Sequence, residues 1–215
     1  FPFARYFFFN ISKPDEGRKF VDAVRRHVTT GARWPEDANK PECTVNIGFS
    51  FFGLWALEVP NRTLQSMPPE YADGMKARAF VFGDRDTTKI SDEDPDWDAH
   101  WDPIWQKNRI EEGGEPRSNV HIWVSLNAQL KEVGKAEPVD ELEAKTQWLR
   151  ELADASDGGV ILLKCGHDAK DDYQEAHAVF DKFGDIELPT PKEHFGFADG
   201  IGDPVFEGQY RETEM

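Results

Sequence analysis

Cysteine is scarce in this sequence, with Cys43 and Cys165 as the only two among its 215 residues. Small secreted domains that depend on disulfides have a much higher cysteine content, so two thiols do not indicate a disulfide framework. Both cysteines fall in stretches that are predicted below to be β-strands. We therefore expect two buried thiols rather than a disulfide or a metal site.

Long apolar runs and basic residues are also lacking. No run approaches the roughly 18 residues of a membrane-spanning helix. Lys and Arg number 25 against 41 Asp and Glu, which gives a formal net charge of -16 and a pI of about 4.7. Because such a surface repels phosphate backbones and anionic lipids, we expect no nucleic acid and no membrane as partners. The 13% aromatic content predicts a folded, soluble protein, and the sequence leaves open whether it is cytoplasmic or secreted.

Four segments carry the apolar pattern of β-strands. They are residues 4–11, 44–51, 119–127 and 159–165. The alternation is clearest at Val45, Ile47 and Phe49, which are separated by Asn46 and Gly48. A further short strand is predicted around residues 193–197.

Three segments carry the period of an amphipathic helix. The first follows Asp15, which can cap it, and the others cover residues 70–82 and 140–155. The strand and helix order is a split β-α-β pattern that occurs twice. The sequence therefore predicts a ferredoxin-like α+β fold, with a four-stranded antiparallel sheet and helices on one of its faces.

A long acidic insertion interrupts this pattern at residues 84–118, which are rich in Asp, Pro, Gly and Trp. Trp97, Trp101 and Trp105 recur every four residues, so a short helix there could anchor the insertion on the domain. We assign residues 1–190 to the ferredoxin-like domain. Residues 191–215 form a separate segment that we expect to lead into a C-terminal domain.

That segment contains the most informative stretch of the chain, Glu-His-Phe-Gly-Phe-Ala-Asp-Gly-Ile-Gly-Asp-Pro at residues 193–204. Gly196 and Gly200 allow the backbone to bend and to approach another group closely. Asp199 between them is either an ordinary turn residue, bonded to its own backbone, or a carboxylate aimed into a cavity. Phe195 and Phe197 would give such a cavity an apolar wall.

This stretch resembles the Gly-x-x-Asp-Gly motif of the dye-decolourising haem peroxidases, with Asp199 at the position of their distal aspartate. Other segments resemble the same family, in the same order. They are Asn-Ile-Gly-Phe at 46–49, Gly-Leu-Trp-Ala-Leu at 53–57, the helical segment 70–84 and Val-His at 120–121. The resemblance spans about residues 7–206. The length of the insertions in this chain indicates the long-chain members of the family.

The resemblance implies reduction of hydrogen peroxide with haem b, coupled to oxidation of dyes, phenols or other bulky aromatic donors. Asp199 would act as the distal acid and base, and the residues placed against the haem would be Phe197, Gly200, Ile201 and Gly202. A free aspartate has a pKa of about 3.9, so such a base should keep the enzyme active at acidic pH.

In this family, the proximal histidine that binds the iron and the distal arginine lie well downstream of the motif. We expect neither of them within the 215 residues of this chain. No histidine takes the place of the iron ligand among His27, His100, His121, His167, His177 and His194. We therefore expect no metal ligand in this chain, and its partner should be the C-terminal half of the same protein, as a separate or cleaved chain. A homo-oligomer is a second candidate assembly for this chain.

Other interpretations of the sequence remain open. A ferredoxin-like binding or assembly module that has lost its haem would have the same fold. Alternating aspartates in residues 92–98 indicate a solvated acidic loop, and polar residues from His167 to His177 indicate an exposed helix start rather than a metal site. Trp97, Trp101, Trp105 and Tyr210 could relay electrons to bulky donors, although packing is the simpler explanation.

Overall fold

The computed structural model describes residues 1–32, 40–82, 102–105, 120–165 and 171–192. Its strands are Phe3–Ile11 (β1), Cys43–Phe49 (β2), Ile122–Ala128 (β3), Val160–Leu162 (β4), Gln174–His177 (β5), Phe180–Phe183 (β6) and Ile186–Pro189 (β7). Its α-helices are Pro14–Arg25 (α1), Phe51–Ala56 (α2), Asn61–Leu64 (α3), Pro69–Ala77 (α4), Ala79–Phe82 (α5) and Asp140–Asp154 (α6). A short 3-10 helix covers Pro103–Trp105. None of the described helices has the length and apolar content to cross a bilayer.

The main sheet has the strand order β2-β3-β1-β4, and its pairs are antiparallel. Strand β1 lies in the middle and pairs with β3 from Phe3 opposite Ala128 to Phe9 opposite Ile122. This order and the α1 and α6 crossovers confirm the predicted ferredoxin-like α+β fold. Ile122, Val124 and Leu126 of β3 are buried on one face of the sheet, as the alternation predicted. Val120, predicted on the same face, precedes the strand and is buried with Phe8 on the other side.

The fourth strand is shorter than predicted, because the chain leaves the β1 edge and returns to it. Strand β4 pairs with residues 9–11 of β1, and β5 pairs with residues 3–6. Between them the Cys165 amide donates to the Asp171 carbonyl rather than to β1. The predicted helix start between His167 and His177 is wrong for residues 174–177, because they form strand β5 and continue the sheet edge. His167 and Asp168 lie outside the described residues.

The core lies between the sheet and helices α1 and α6. Phe7 and Phe9 of β1 are fully buried there, and the Phe9 ring lies 4.7 Å from that of Phe20 in α1. Leu142 and Leu149 of α6 close the same core, as predicted. Burying each such side chain contributes about 1.5–3 kcal/mol to folding, so this layer dominates the stability of the domain.

Helix α1 begins two residues earlier than predicted, and Asp15 does not cap it. Pro14 occupies the first helical position, where its missing N–H is not needed. Lys13 is the N-cap residue and makes no side-chain cap. Asp15 instead forms an ion pair with Arg18 one turn later. The helix ends at Arg25, so Val28, predicted on its apolar stripe, lies beyond it and packs on the core from the next turn.

The predicted helix over residues 70–82 is broken at Gly74. This glycine has φ 71° and ψ 173°, a conformation outside the helical region, and α5 begins only at Ala79. Helix α2 was not predicted either. The strand predicted to run to residue 51 ends at Phe49, because Ser50 caps a new helix by accepting a hydrogen bond from Gly53.

The sheet face opposite the helices is covered in part by the insertion. Ile104 is buried there in a small cluster with Phe8, Val120 and Cys165, and the Trp105 ring meets Phe8 edge-on at 5.5 Å. Trp105 therefore anchors its segment as predicted, while Trp97 and Trp101 lie outside the described residues. Elsewhere on this face Trp123 stacks on Tyr6 and remains 37% exposed.

Strands β6 and β7 form a separate hairpin that was not predicted. Gly184 in its two-residue turn has φ 66°, as type II′ turns require at this position. Phe180 joins the hairpin to the sheet by stacking on Phe3 at 5.6 Å. Phe183 and Ile186 at its tip are more than half exposed.

Candidate functional site

The residues predicted for the haem site lie outside the described residues. This applies to Asp199, Phe197, Gly200, Ile201 and Gly202, to the strand predicted around residues 193–197 and to most of the acidic insertion. Their roles stay predictions. Tyr210 and the aspartates of residues 92–98 are also outside the part of the chain that the structure describes.

A metal site is absent from the described residues, where no group of three or more His, Cys, Asp and Glu lies close enough to hold an ion. Asp172 was one of the acidic residues considered as a metal ligand. Its carboxylate accepts two hydrogen bonds from Arg150, at 2.7 and 2.9 Å. Asp172 therefore pairs with a cation of the protein itself.

A cleft of about 530 Å³ lies beside the end of β1, and helices α2 and α3 form its other side. Its apolar lining is Ile11, Pro14, Trp55, Ala56, Val59 and Pro60, and its polar lining is Ser12, Glu58, Asn61 and His121. The volume is in the usual range for small-molecule sites. No local motif in the sequence indicates this cleft, since its walls come from three separate stretches of chain.

His121 forms the base of this cleft and is only 8% exposed. Its Nδ1 atom accepts a hydrogen bond of 2.9 Å from the Ile11 amide. An imidazole nitrogen that accepts carries no proton, so the ring of neutral His121 holds its proton on Nε2. His121 thus fixes the point where β1 leaves the sheet.

Helix α2 is held against β3 by a close backbone contact. A Cβ atom built on Gly53 would overlap the carbonyl oxygen of His121, so only glycine fits. The Ser50 hydroxyl donates to the Val120 carbonyl at 2.7 Å and accepts from the Gly53 amide at 3.0 Å. Gly53 and the residues up to Leu57 belong to the stretch quoted above for the family resemblance. The physical role of Gly53 in this stretch is to let α2 pack directly on β3.

Helix α2 ends in a Schellman motif that presents Glu58 at the cleft. The Val59 amide donates to the Leu54 carbonyl and the Glu58 amide to the Trp55 carbonyl. The first of these two donors occupies the left-handed C′ position, which is usually glycine, but here it is Glu58 with φ 60°. Arg18 of α1 donates to the Glu58 carboxylate at 2.8 Å and to the Leu57 carbonyl at 3.0 Å, which fixes the turn.

A second polar cluster lies on the helix side of the sheet, at the edge where β5 meets α6. The Arg5 guanidinium lies 4.5 Å from the centre of the Tyr173 ring and donates to Glu143 at 2.7 Å. Arg150 packs near the same ring and binds Asp172. The Arg150 hydrogen bonds hold the pKa of the Asp172 carboxyl below its usual range. The charged groups of this cluster are paired within the protein, so the cluster joins α6 to the sheet.

The two cysteines are buried and free, as predicted. Burial raises the pKa of both thiols to about 11. A thiol with such a pKa remains protonated at neutral pH and is a poor nucleophile and metal ligand. Cys43 and Cys165 therefore have a packing role.

Comparisons with known proteins agree on one family. The sequence model of the DyP dimeric alpha+beta barrel domain matches residues 2–112. A decolorizing peroxidase from Auricularia auricula-judae has the same fold, with a TM-score of 0.58 and 17% sequence identity. A dye-decolorizing peroxidase complex with 2,6-dimethoxyphenol gives a TM-score of 0.55 and 18% identity, and a dye-decolorizing peroxidase variant in complex with cyanide gives 0.57 and 18%.

These similarities extend over nearly the whole of this chain but only part of the relatives. The three structures cover 98%, 97% and 98% of this chain, and this chain corresponds to 36%, 38% and 37% of theirs. It therefore spans little more than a third of their length. No curated protein matches the sequence.

Proposed function

This chain belongs to the family of the DyP dimeric alpha+beta barrel domain, and on that premise we propose that it is the N-terminal half of a haem-dependent peroxidase. The observation that carries the proposal is the family match, together with a fold shared over 98% of the chain with a decolorizing peroxidase. The reaction is the reduction of hydrogen peroxide coupled to oxidation of bulky aromatic donors. Phenols are included because one structural relative is a complex with 2,6-dimethoxyphenol.

Asp199 is the proposed acid and base of this reaction. It stands at the aspartate of the Gly-x-x-Asp-Gly motif, with Gly200 and Gly202 beside it and Phe197 and Ile201 as apolar neighbours. Its carboxylate would take a proton from one oxygen of hydrogen peroxide and return it to the other, which leaves as water. The glycines would allow the backbone to lie flat against the haem.

Haem b, when bound, supplies the iron at which peroxide is reduced. The histidines of the described residues do not assemble an iron site. The His27 ring packs at a tilt against Trp148, with ring centres 4.6 Å apart. His121 accepts from the Ile11 amide, and His177 contacts the Ala178 carbonyl at 2.9 Å. His100, His167 and His194 lie outside the described residues. We propose that a C-terminal half supplies the iron ligand because the family resemblance implies it.

The proposed partner is this C-terminal half, and the sheet face opposite the helices offers a surface for it. Trp123 lies over Gly48 and stacks on Tyr6, which leaves a flat and partly exposed aromatic surface in the middle of the sheet. Covering such a surface is favourable because apolar area leaves water. The relatives are long enough to contain a second half of similar or larger size.

The test compares the 215-residue chain alone with the complete peroxidase that contains it. Haem added to the chain alone should give no tight, histidine-ligated spectrum, whereas the complete protein should bind haem and oxidise phenols with peroxide. In the complete protein, Asp199→Asn should retain the haem spectrum and slow the first oxidation step in stopped-flow experiments. Asp203→Asn, four residues along the same motif, is the matched control and should have a smaller effect.

Two results would overturn the proposal. Tight binding of haem by the chain alone, with a histidine-ligated spectrum, would mean that the iron ligand is among its own histidines. A complete protein that never binds haem would favour the alternative, a ferredoxin-like binding or assembly module without catalysis.

A further inference from the structure

The cleft between the end of β1 and helices α2 and α3 has the features of a small-molecule site that the proposed haem chemistry does not use. Its volume of about 530 Å³ would hold one or two aromatic rings. Its walls are rigid, because the Gly53 contact with His121 and the Ile11 bond to the His121 ring fix all three stretches of chain. A site of this kind needs little reorganisation on binding.

Trp55 provides the largest apolar surface of the cleft. It lies in the last turn of α2, where its carbonyl is part of the Schellman motif, and 42% of the residue is exposed. Val59 and Pro60 continue the apolar wall along the same side. An indole at the side of a concave site favours a flat ring, which can stack on it with offset or edge-on geometry.

Glu58 and Asn61 add polar groups to the stretch of chain that carries this apolar wall. Glu58 follows Trp55 by three residues, and its backbone amide is bonded to the Trp55 carbonyl at 2.9 Å. Arg18 occupies one acceptor position of the Glu58 carboxylate, and a carboxylate has about four such positions. Asn61, at the start of α3, adds an amide that can both donate and accept.

The charges in and around the cleft favour a neutral ligand over a cationic or an anionic one. Arg18 compensates Glu58 at 2.8 Å, so a cationic ligand gains little from this carboxylate. The net charge of -16 disfavours an anionic ligand. A neutral planar ring with a hydroxyl group fits both the indole and the acceptor.

We propose that this cleft binds a small neutral phenol, with its ring against Trp55 and its hydroxyl group donating to Glu58. The inference rests on the proposed function, since phenols are among the donors of that reaction. It adds a site on this half of the protein where a donor is held. The site does not need haem or peroxide for binding.

The test is an NMR titration of the 15N-labelled 215-residue chain with 2-methoxyphenol, without haem or peroxide. Saturable shifts are expected for residues 55–61 and for His121, with a dissociation constant on the order of 1 mM for so small a ligand. Trp55→Ala should weaken binding about ten-fold or more. Phe183→Ala is the matched control, because Phe183 is an exposed aromatic residue that does not line the cleft, and it should leave the affinity unchanged.

Glu58→Gly separates the role of the side chain from that of the fold. Glycine is the preferred residue at φ 60°, so this variant should stay folded while it loses the acceptor and binds several-fold more weakly. Saturable shifts elsewhere, no saturation at all, or equal binding by the Trp55→Ala variant would overturn the inference. So would displacement of the phenol by methyl glucoside, because the cleft would then be a sugar site.

The two proposals fail separately. If the complete protein is an active peroxidase but the cleft does not bind the phenol, only the donor site is wrong. If the cleft binds the phenol but the complete protein never takes up haem, the peroxidase proposal is wrong and the cleft is a binding site with another purpose.

Discussion

Gly53 and His121 meet so closely that no side chain fits between them. A Cβ on residue 53 would overlap the His121 carbonyl oxygen, which is backbone and cannot rotate away. We predict that Gly53→Ala destabilises the domain by about 3 kcal/mol or more, at the upper end of the overpacking effects seen in protein interiors. The measurement is the free energy of unfolding in urea, with folding checked by circular dichroism.

Gly31→Ala is the control for this variant. A Cβ on Gly31 would meet nothing within 4 Å, so the same chemical change there should alter stability by about 0.5 kcal/mol or less. Equal stability of the two variants would show that α2 can move away from β3 without loss. The walls of the cleft would then be less rigid than the structure indicates.

The hydrogen bond from the Ile11 amide to His121 Nδ1 gives a second prediction. His121→Phe keeps a ring of similar shape but removes the acceptor and leaves a buried amide without its partner. This should cost about 1–3 kcal/mol. His121→Asn can place its side-chain oxygen where Nδ1 was, so it should retain more of the stability than His121→Phe in spite of its smaller volume.

The order of these two variants is the result to measure. If His121→Phe unfolds at higher urea concentration than His121→Asn, packing rather than the hydrogen bond determines the role of this residue. Amide hydrogen exchange at Ile11 provides an independent check, since protection there should fall only in the variant without an acceptor.

Much of the fold could be predicted from the sequence because the sheet buries one face. Strand β3 alternates so regularly that its buried side chains could be identified in advance. Strands β6 and β7 could not be predicted in this way, because their apolar residues Phe183 and Ile186 are exposed and mark no buried face. The break at Gly74 was missed because a period of apolar residues does not record the backbone angle of one glycine, which adopts a positive φ at little cost.

The site was less predictable than the fold. The cleft combines residues 11–14, residues 55–61 and His121, which the chain brings together only by folding. The Ser50 cap and the Schellman motif are local, but glutamate at the position of the usual glycine concealed the helix end. Asp199 is the opposite case, since a short motif indicates its role and the described residues do not include it.

Stability against acid should depend on Asp172. Hydrogen bonds from Arg150 lower the pKa of its carboxyl in the folded protein, so it is stabilising while ionised. This contribution is fully present above the unfolded pKa of about 3.9 and is lost as the pH falls through the lower folded value. Asp172→Asn should therefore cost up to about 1 kcal/mol at pH 7 and much less near pH 2, because both groups are partly exposed.

Urea unfolding of both proteins between pH 7 and pH 2 checks this prediction. The difference in unfolding free energy between the parent chain and Asp172→Asn should shrink as the pH falls. Asp154→Asn, at the exposed end of α6, is the control and should leave the curve close to that of the parent. A difference that stays constant with pH would mean that Asp172 acts through packing and not through its charge.

The two thiols should be unreactive in the folded protein. Burial raises the pKa of Cys43 and Cys165 to about 11, compared with about 8.5 for a free cysteine. The thiolate fraction at neutral pH should therefore be lower by more than about 100-fold, and the reagent must also reach a buried sulfur. Ellman's reagent at pH 7.4 should release almost no thionitrobenzoate from the folded chain and two equivalents after unfolding in guanidinium. Rapid reaction of one thiol under native conditions would contradict this prediction and show that its part of the sheet opens locally. The variants Cys43→Ser and Cys165→Ser would then identify which of the two edges of the sheet had opened.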